Sequence, residues 1–396
     1  MHALAKPSAT GELRLDSQRI PVHHEELWTS KQRQAASIHE VSYRACFKPQ
    51  LPAYFIERCT QPGDIVYDPF SGRGTTAVEA ALRGRRVIAN DMNPLSELLC
   101  RPRLELPDPA AVEARLRRIP KLARDAGDID LSMFFDCGTL AEIVALRNYL
   151  RRRRDNGEED AADRWIRMVA TNRLTGHSSG FFSVYTLPPN QAVLPGNQVK
   201  INRKLGQKPG YRDTHAIILR KSRQLRRNLS ADDIARLQTA AATARFMTAD
   251  AAATKQIAGA SVQLTVTSPP FLDVVQYARD NWLRCWFNGL DADAIGERLT
   301  MSRTVAEWTT TMAAVFKELR RITQTGGWVA FEVGEVRKGK VKLEEHVVPL
   351  GIAAGFDCEA VLINRQRFTK TANIWGVGNN RLGTNTNRIV VFRNPA

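Results

Sequence analysis

No two of the six cysteines, Cys46, Cys59, Cys100, Cys137, Cys285 and Cys358, stand at the short spacing of a zinc or dithiol site. They read as reduced packing residues, because free cysteine behaves as a small buried hydrophobe. The seven histidines give one adjacent pair, His23-His24, with no metal spacing around it, so no metal centre is expected. No apolar run approaches the roughly 20 residues that cross a bilayer. The amino-terminal residues also lack the apolar core of a secretory signal. The chain therefore reads as cytoplasmic or nucleoid-associated, with no membrane partner. Acids are in short supply as well: 41 Asp and Glu face 57 Lys and Arg, giving a formal charge of +16 and a pI near 9.9. Such an imbalance argues for a polyanionic partner, nucleic acid before membrane. No internal repeat is present.

What the sequence does have is 396 residues, 43% of them hydrophobic, enough for one large domain with an insertion or for two domains. Residues 1–20 are small, polar and unpatterned, and read as a mobile tail. Phe47-Lys48-Pro49-Gln50-Leu51-Pro52 leads into an apolar helical pattern over Tyr54, Phe55 and Ile56. Next, Ile65 to Asp68 reads as a strand that runs into Pro69-Phe70-Ser71-Gly72-Arg73-Gly74-Thr75-Thr76 and a helix ending near Leu82. Arg86 to Ala89 is a second strand, ending at Asn90-Asp91. This is one unit of a doubly wound sheet, in which glycines let a ligand approach the backbone and the second carboxylate can hold a ribose diol. The lysine of a nucleotide-hydrolase phosphate loop is missing, which disfavours ATP and GTP.

The third strand is delayed. Arg245 to Asp250 supplies it, another short strand ending in a carboxylate, so about 150 residues interrupt one sheet. Within that interruption, residues 110–165 carry helical periodicity (Leu140, Ile143, Val144, Leu146, Leu150), followed by a stretch rich in Gly, Pro, Asn, Ser and aromatics. From Lys200 to Arg227 ten basic residues face one acid, Asp213. Lys200, Arg203, Lys204, Lys208, Arg212, Arg220, Lys221 and Arg223 are the expected phosphate-contacting set. Arg151 to Arg154 are less persuasive, since Asp155, Glu158, Glu159 and Asp160 follow them.

After the delay comes the apolar run Val262 to Val266, a buried parallel strand that leads into Thr267-Ser268-Pro269-Pro270-Phe271. Two prolines end the ladder and fix an extended loop at the carboxyl edge of the sheet. Residues 274–290 carry Tyr277, Trp282, Trp286 and Phe287 at near-helical spacing, expected to pack as core or lid. A helix over 306–321 should bury Trp308, Met312, Val315 and Leu319. Strands are expected over 328–333, 359–364 and 388–392.

The pairing of Asp68-Pro69-Phe70-Ser71-Gly72-Arg73-Gly74-Thr75-Thr76 with Ser268-Pro269-Pro270-Phe271 resembles the S-adenosylmethionine-dependent DNA amino-methyltransferases, most of all the cytosine-N4 enzymes. The resemblance implies an α/β fold, a Rossmann-like methyltransferase sheet of about seven strands built from residues 21–100 and 244–396. Residues 101–243 would be a largely helical, loop-rich inserted domain that reads the DNA target. It implies S-adenosylmethionine as cofactor, with Phe47 and Pro49 over its methionine part and Asp68, Pro69, Phe70, Gly72, Gly74, Thr75 and Thr76 at the turn. Asp91 would hold the ribose and Asp250 the adenine amino group. Ser268, Pro269, Pro270 and Phe271 would be catalytic. The partner implied is double-stranded DNA, with room for a cognate restriction endonuclease and no fixed oligomeric state. The order of motifs departs from the commonest cytosine-N4 arrangement, in which the catalytic loop comes first. No Pro-Cys nucleophile, as in cytosine-C5 enzymes, is present.

The chemistry agrees with these residue types. An exocyclic amino nitrogen is a poor nucleophile because its lone pair is delocalised into the ring. Acceptors such as the Ser268 hydroxyl oxygen and the Pro269 carbonyl can hold its hydrogens and aim the nitrogen. Phe271 would stack on a base extruded from the duplex. Adenine-N6 transfer, transfer to structured RNA and a non-catalytic basic nucleic-acid-binding protein with a vestigial cofactor fold are the alternatives.

Overall fold

The computed structural model describes residues 11–15, 18–25, 35–43, 46–122, 128–187, 192–270, 277–299, 302, 304–336, 341–365 and 386–395. The chain opens with the hairpin β1 (Gly11–Leu15) and β2 (Gln18–Glu25), then α1 (Gln50–Cys59), β3 (Ile65–Asp68), α2 (Thr75–Leu82) and β4 (Arg86–Asn90). Seven helices follow: α3 (Leu95–Leu104), α4 (Pro109–Arg118), α5 (Cys137–Asp155), α6 (Ala161–Thr171), α7 (Pro195–Leu205), α8 (Thr214–Arg226) and α9 (Ala231–Ala241). The chain returns to the sheet as β5 (Arg245–Met247) and β6 (Val262–Thr267). After these come α10 (Tyr277–Asn288), α11 (Ala292–Arg298), α12 (Val305–Ile322) and β7 (Thr323–Val333). A two-stranded ribbon, β8 (Glu335–Val336) and β9 (Val341–Lys342), precedes α13 (Glu344–Ala353), β10 (Asp357–Arg365) and β11 (Thr386–Arg393).

The main sheet runs β1-β2-β10-β11-β7-β6-β3-β4-β5. Its five strands from β7 to β5 are parallel, and β11 lies antiparallel between β7 and β10. The chain therefore moves outward from β3 to β4 and β5, then returns to lay β6 on the other side of β3. The strand order reverses between β3 and β6, and the crevice at such a switch point is where open α/β sheets bind ligands. Nine strands stand where about seven were expected. The two extra ones are the amino-terminal hairpin, because Leu13, Ile20 and Val22 alternate with polar neighbours and extend the sheet beyond β10. The tail expected through residue 20 is thus corrected from Gly11 onward; residues 1–10 lie outside the described residues.

Side chains of alternating parity fill the two faces. Val66, Val87, Leu264 and Val266 point to one side, and Tyr67, Ile88, Val329 and Phe331 to the other. The second face is covered by α12 and α13, where Trp308, Met312, Val315 and Leu319 are all buried. The first is covered by α1 and α2, and the same apolar cluster runs on into the interrupting helices through Phe134, Ile143, Trp165, Ile166 and Ile218. Residues 101–243 thus share a core with the sheet. Within that range α9 packs on α2 and β4, as an ordinary crossover helix does. Trp282 and Trp286 of α10 face this layer: Trp282 Nε1 donates to Ala192 O at 3.2 Å and Trp286 Nε1 to Asp128 Oδ1 at 2.6 Å. No described helix is long and apolar enough to cross a membrane.

Candidate active site

Asp68 ends β3 and Thr267 ends β6, so the two motifs meet at the switch point. The Thr267 hydroxyl donates to Asp68 Oδ1 at 2.6 Å, and the Phe70 N–H donates to the same oxygen at 3.1 Å. From the start of α2, Thr76 donates to Val266 O at 3.1 Å, tying helix to strand. Asp68 is buried, and its other oxygen has no hydrogen-bond partner among the described residues. Burial pushes its carboxyl up to about 7, against the hydrogen bonds from Thr267 and Phe70 that favour the anion.

The turn after β3 is left-handed twice, at Gly72 (φ 53°) and Gly74 (φ 78°). At Gly74 there is also no room, since a Cβ there would lie 2.3 Å from Cys100 Sγ. The Gly72 N–H donates to Asp91 Oδ2 at 2.7 Å and the Asn93 N–H to Asp91 Oδ1 at 2.9 Å, so the carboxylate that ends β4 is fixed beneath the turn. Burial raises Asp91 to about 6. Tyr43 roofs this corner, 3.8 Å from the position of a Gly72 Cβ, its hydroxyl accepting from Asn93 Nδ2 at 2.7 Å. Asn90 joins the strand ends: its amide donates to Pro69 O and Ala249 O and accepts from the Ala249 N–H. Asp250, just beyond, is exposed, with Oδ1 accepting from the Ala252 N–H at 2.9 Å. Phe47 is half-buried against the cluster around α1 and α2, and Pro49 is buried at the start of α1. Pro69, Thr75 and Thr76 are buried and Phe70 half-buried.

Ser268 follows β6 with Pro269 buried and Pro270 exposed. The indole of Trp308 donates to Pro270 O at 3.0 Å, which holds the loop on α12. Phe271 lies outside the described residues. Thr267 pairs with Phe331, so the next residue of β7, Glu332, stands beside Ser268. Glu332 is buried, its carboxyl driven upward by burial and opposed by hydrogen bonds from Ser268 and from Asn387 Nδ2, the latter at 2.9 Å. The sequence put Asn90 and Thr267 at strand ends without giving them a role, and Glu332 and Tyr43 were missed. The signal for Glu332 was a lone acid inside an apolar strand, Trp-Val-Ala-Phe-Glu-Val.

The turn lets a ligand approach the backbone: it offers two left-handed glycines, the amino end of a helix and a carboxylate fixed beneath them. Two buried polar atoms beside it, Ser71 Oγ and Arg103 Nη2, have no hydrogen-bond partner among the described residues.

The basic set lies apart from this crevice in sequence, on α7, α8 and the segment between them. Lys200, Arg203, Lys204, Lys208, Arg220 and Arg223 are exposed. Gln198 is the one buried residue of α7, and Leu194, Val199, Leu205 and Tyr211 are exposed among the cations. Arg212 is half-buried and donates to Ser178 O and Phe181 O, and Arg220 donates to Ser179 O. Lys221 departs from the expectation. It is buried 3.7 Å from Glu40, and burial lowers its amine to about 8, so it faces the interior and not a phosphate.

Residues 8–96 match the family described as DNA methylase, with N6 and N4 members. The type II methyltransferase M.MjaII of Methanocaldococcus jannaschii is 35% identical over 77 residues, 19% of this chain and 14% of that protein. M.MvaI of Kocuria varians is 33% identical over 94 residues, 23% of this chain and 18% of that protein. The chain thus covers under a fifth of the length of these two relatives. A tRNA (guanine(37)-N(1))-methyltransferase of Drosophila pseudoobscura pseudoobscura is 49% identical over 41 residues, 10% of this chain and 9% of that protein. Among solved structures, an rRNA methyltransferase of Streptomyces viridochromogenes aligns over 93% of this chain and 92% of its own, at 14% identity and a TM-score of 0.37. A methyltransferase of Methanosarcina mazei aligns over 86% and 97%, at 10% identity and a TM-score of 0.32. The segment that carries β3, the glycine turn and β4 is thus similar to DNA methylases of the N6 and N4 kind.

Proposed function

We propose that this protein is a site-specific DNA methyltransferase that moves a methyl group from S-adenosylmethionine to the exocyclic N4 amino group of a cytosine turned out of the duplex. The observation that carries this reading is the 2.6 Å hydrogen bond from Thr267 to Asp68, which joins the Ser-Pro-Pro loop to the glycine turn. Asp91 would hold the cofactor's ribose, Asp250 its adenine amino group, and Phe47 and Pro49 its methionine part. Residues 101–243 would read the target, with the exposed cations of α7 and α8 against the phosphates.

When bound, the cofactor supplies an electrophilic methyl group on a sulfonium. The protein's task is to make a weak amine attack it. With the Ser268 hydroxyl donating to Glu332, the serine oxygen keeps its lone pairs for one amino hydrogen, and the Pro269 carbonyl takes the other. Glu332, hydrogen-bonded to Ser268, would accept the proton the amine releases, through the serine hydroxyl. A pocket that excludes water strengthens each of these contacts. The test uses isotope-labelled cofactor, duplex DNA of mixed sequence and mass spectrometry of the digested nucleosides. N4-methylcytosine supports the reading. N6-methyladenine, transfer to RNA in preference to DNA, or no transfer overturns it in favour of one of the alternatives.

A further inference from the structure

Arg103, on α3, is fully buried directly behind the glycine turn. A Cβ placed on Gly74 would come within 3.1 Å of its Nη2. Its Nε donates to Leu99 O at 2.8 Å and its Nη1 to Ile38 O at 3.5 Å, while Nη2 has no hydrogen-bond partner among the described residues. Arg73 lies in the same corner, donating to Val41 O at 2.9 Å, and each guanidinium repels the other's charge. The groups that act on Arg103 from nearby are the thiol of Cys100, which shares a hydrogen bond with it, the thiol of Cys46 and the guanidinium of Arg73. Burial pushes the first thiol up to about 11 and raises the second, so both thiols are neutral near pH 7. No described carboxylate is hydrogen-bonded to Arg103. A buried cation left in this state is expensive, because desolvation is not offset by an opposite charge.

We infer that Arg103, with Arg73 beside it, receives the carboxylate at the amino-acid end of the cofactor. The inference rests on the proposed use of S-adenosylmethionine and adds a residue to it. The placement follows from the fold. Asp91 sits under Gly72 and Arg103 behind Gly74, so a ligand with its ribose at the first would carry its tail past the second, at the amino end of α2. The missing partner must be an anion small enough to enter with the cofactor, because a phosphate of the duplex backbone cannot reach a fully buried guanidinium. A bidentate carboxylate would satisfy Nη2 and offset both cations. Arg103 is therefore a cofactor-binding residue that also discriminates amino-acid-bearing ligands from bare nucleosides.

The test pairs a protein change with a ligand change. Binding of S-adenosylhomocysteine and of 5′-methylthioadenosine, which lacks the amino-acid end, is measured by calorimetry on wild type, Arg103→Gln and Arg103→Lys. Arg103→Gln is expected to weaken S-adenosylhomocysteine about tenfold or more, the scale of a charge-assisted hydrogen bond, and to leave 5′-methylthioadenosine unchanged. Arg103→Lys should recover part of the loss; it serves alone if the Gln variant does not fold, and should then show a smaller loss confined to the same ligand. Equal weakening of both ligands, or of neither, overturns the inference while leaving the proposed function standing. Failure of wild type to bind either ligand overturns the proposed function and this inference together.

Discussion

Thr267 and Asp68 stand 199 positions apart in sequence, yet the threonine hydroxyl donates to the carboxyl oxygen at 2.6 Å inside a fully buried corner. One end of the bond belongs to the turn proposed to bind the cofactor, the other to the loop proposed to hold the target base. Thr267→Val keeps the shape and removes the donor, leaving a buried acceptor short of a partner. Unfolding in denaturant should show a loss of roughly 1–3 kcal/mol, with methyl transfer falling alongside.

Asp68 also sets a pH dependence. Its folded value, about 7, lies above the unfolded 3.8, so the native state holds a proton that the unfolded chain has released. The contribution is therefore favourable below about pH 4 and is lost as pH rises towards 7. Asp68→Asn lacks this titration. The melting temperature of wild type minus that of Asp68→Asn should fall between pH 5 and pH 8; a gap that is flat or widens with pH would refute the assignment.

The raised value of Asp91, about 6, predicts how cofactor binding varies. Only the carboxylate accepts hydrogen bonds from both ribose hydroxyls while keeping the Gly72 and Asn93 N–H groups. Affinity for S-adenosylhomocysteine should decline as pH drops below about 6. Asp91→Ala should bind weakly at every pH, with that inflection gone.

At the other half of the site, Ser268→Ala should lower methyl transfer by roughly 10²–10⁴-fold, the range for a positioned proton-handling group, with cofactor affinity intact. Glu332→Gln should lose more at high pH than at low pH, because the wild-type carboxyl, raised by burial, takes a proton only once ionised, whereas the glutamine still accepts from the serine but never takes a proton. Single-turnover rates across pH separate the two variants.

The exposed cations predict a salt effect. Lys200→Ala, Arg203→Ala and Lys204→Ala together should flatten the slope of log affinity for duplex DNA against log salt, by about 0.9 for each phosphate left without its cation. Lys221→Met should leave that slope unchanged, since Lys221 is buried on Glu40.

Much of the fold was legible because its signals are local. A strand that breaks at Asp68 into two left-handed glycines, and a strand that breaks at Ser268 into two prolines, declare themselves in a few residues. The helix over Trp308 and Met312 is equally plain from its period. The sheet's far edge was not legible, because Leu13, Ile20 and Val22 alternate over too few residues to stand out from a polar tail. Nor was the fate of Lys221, whose burial depends on Glu40, 181 positions earlier. Arg103 reads as an ordinary helical arginine, and only the packing of α3 behind Gly74 shows that its guanidinium lacks a partner.

The central claim is that the Ser-Pro-Pro loop and the glycine turn form one site that methylates cytosine in DNA. Its most direct test is base-resolution sequencing of unmethylated DNA treated with cofactor and either wild type or Ser268→Ala. N4-methylcytosine is expected at one short recurring motif with wild type, and none with the variant. Methylation of adenine, or a wild-type pattern that survives in Ser268→Ala, would contradict the claim.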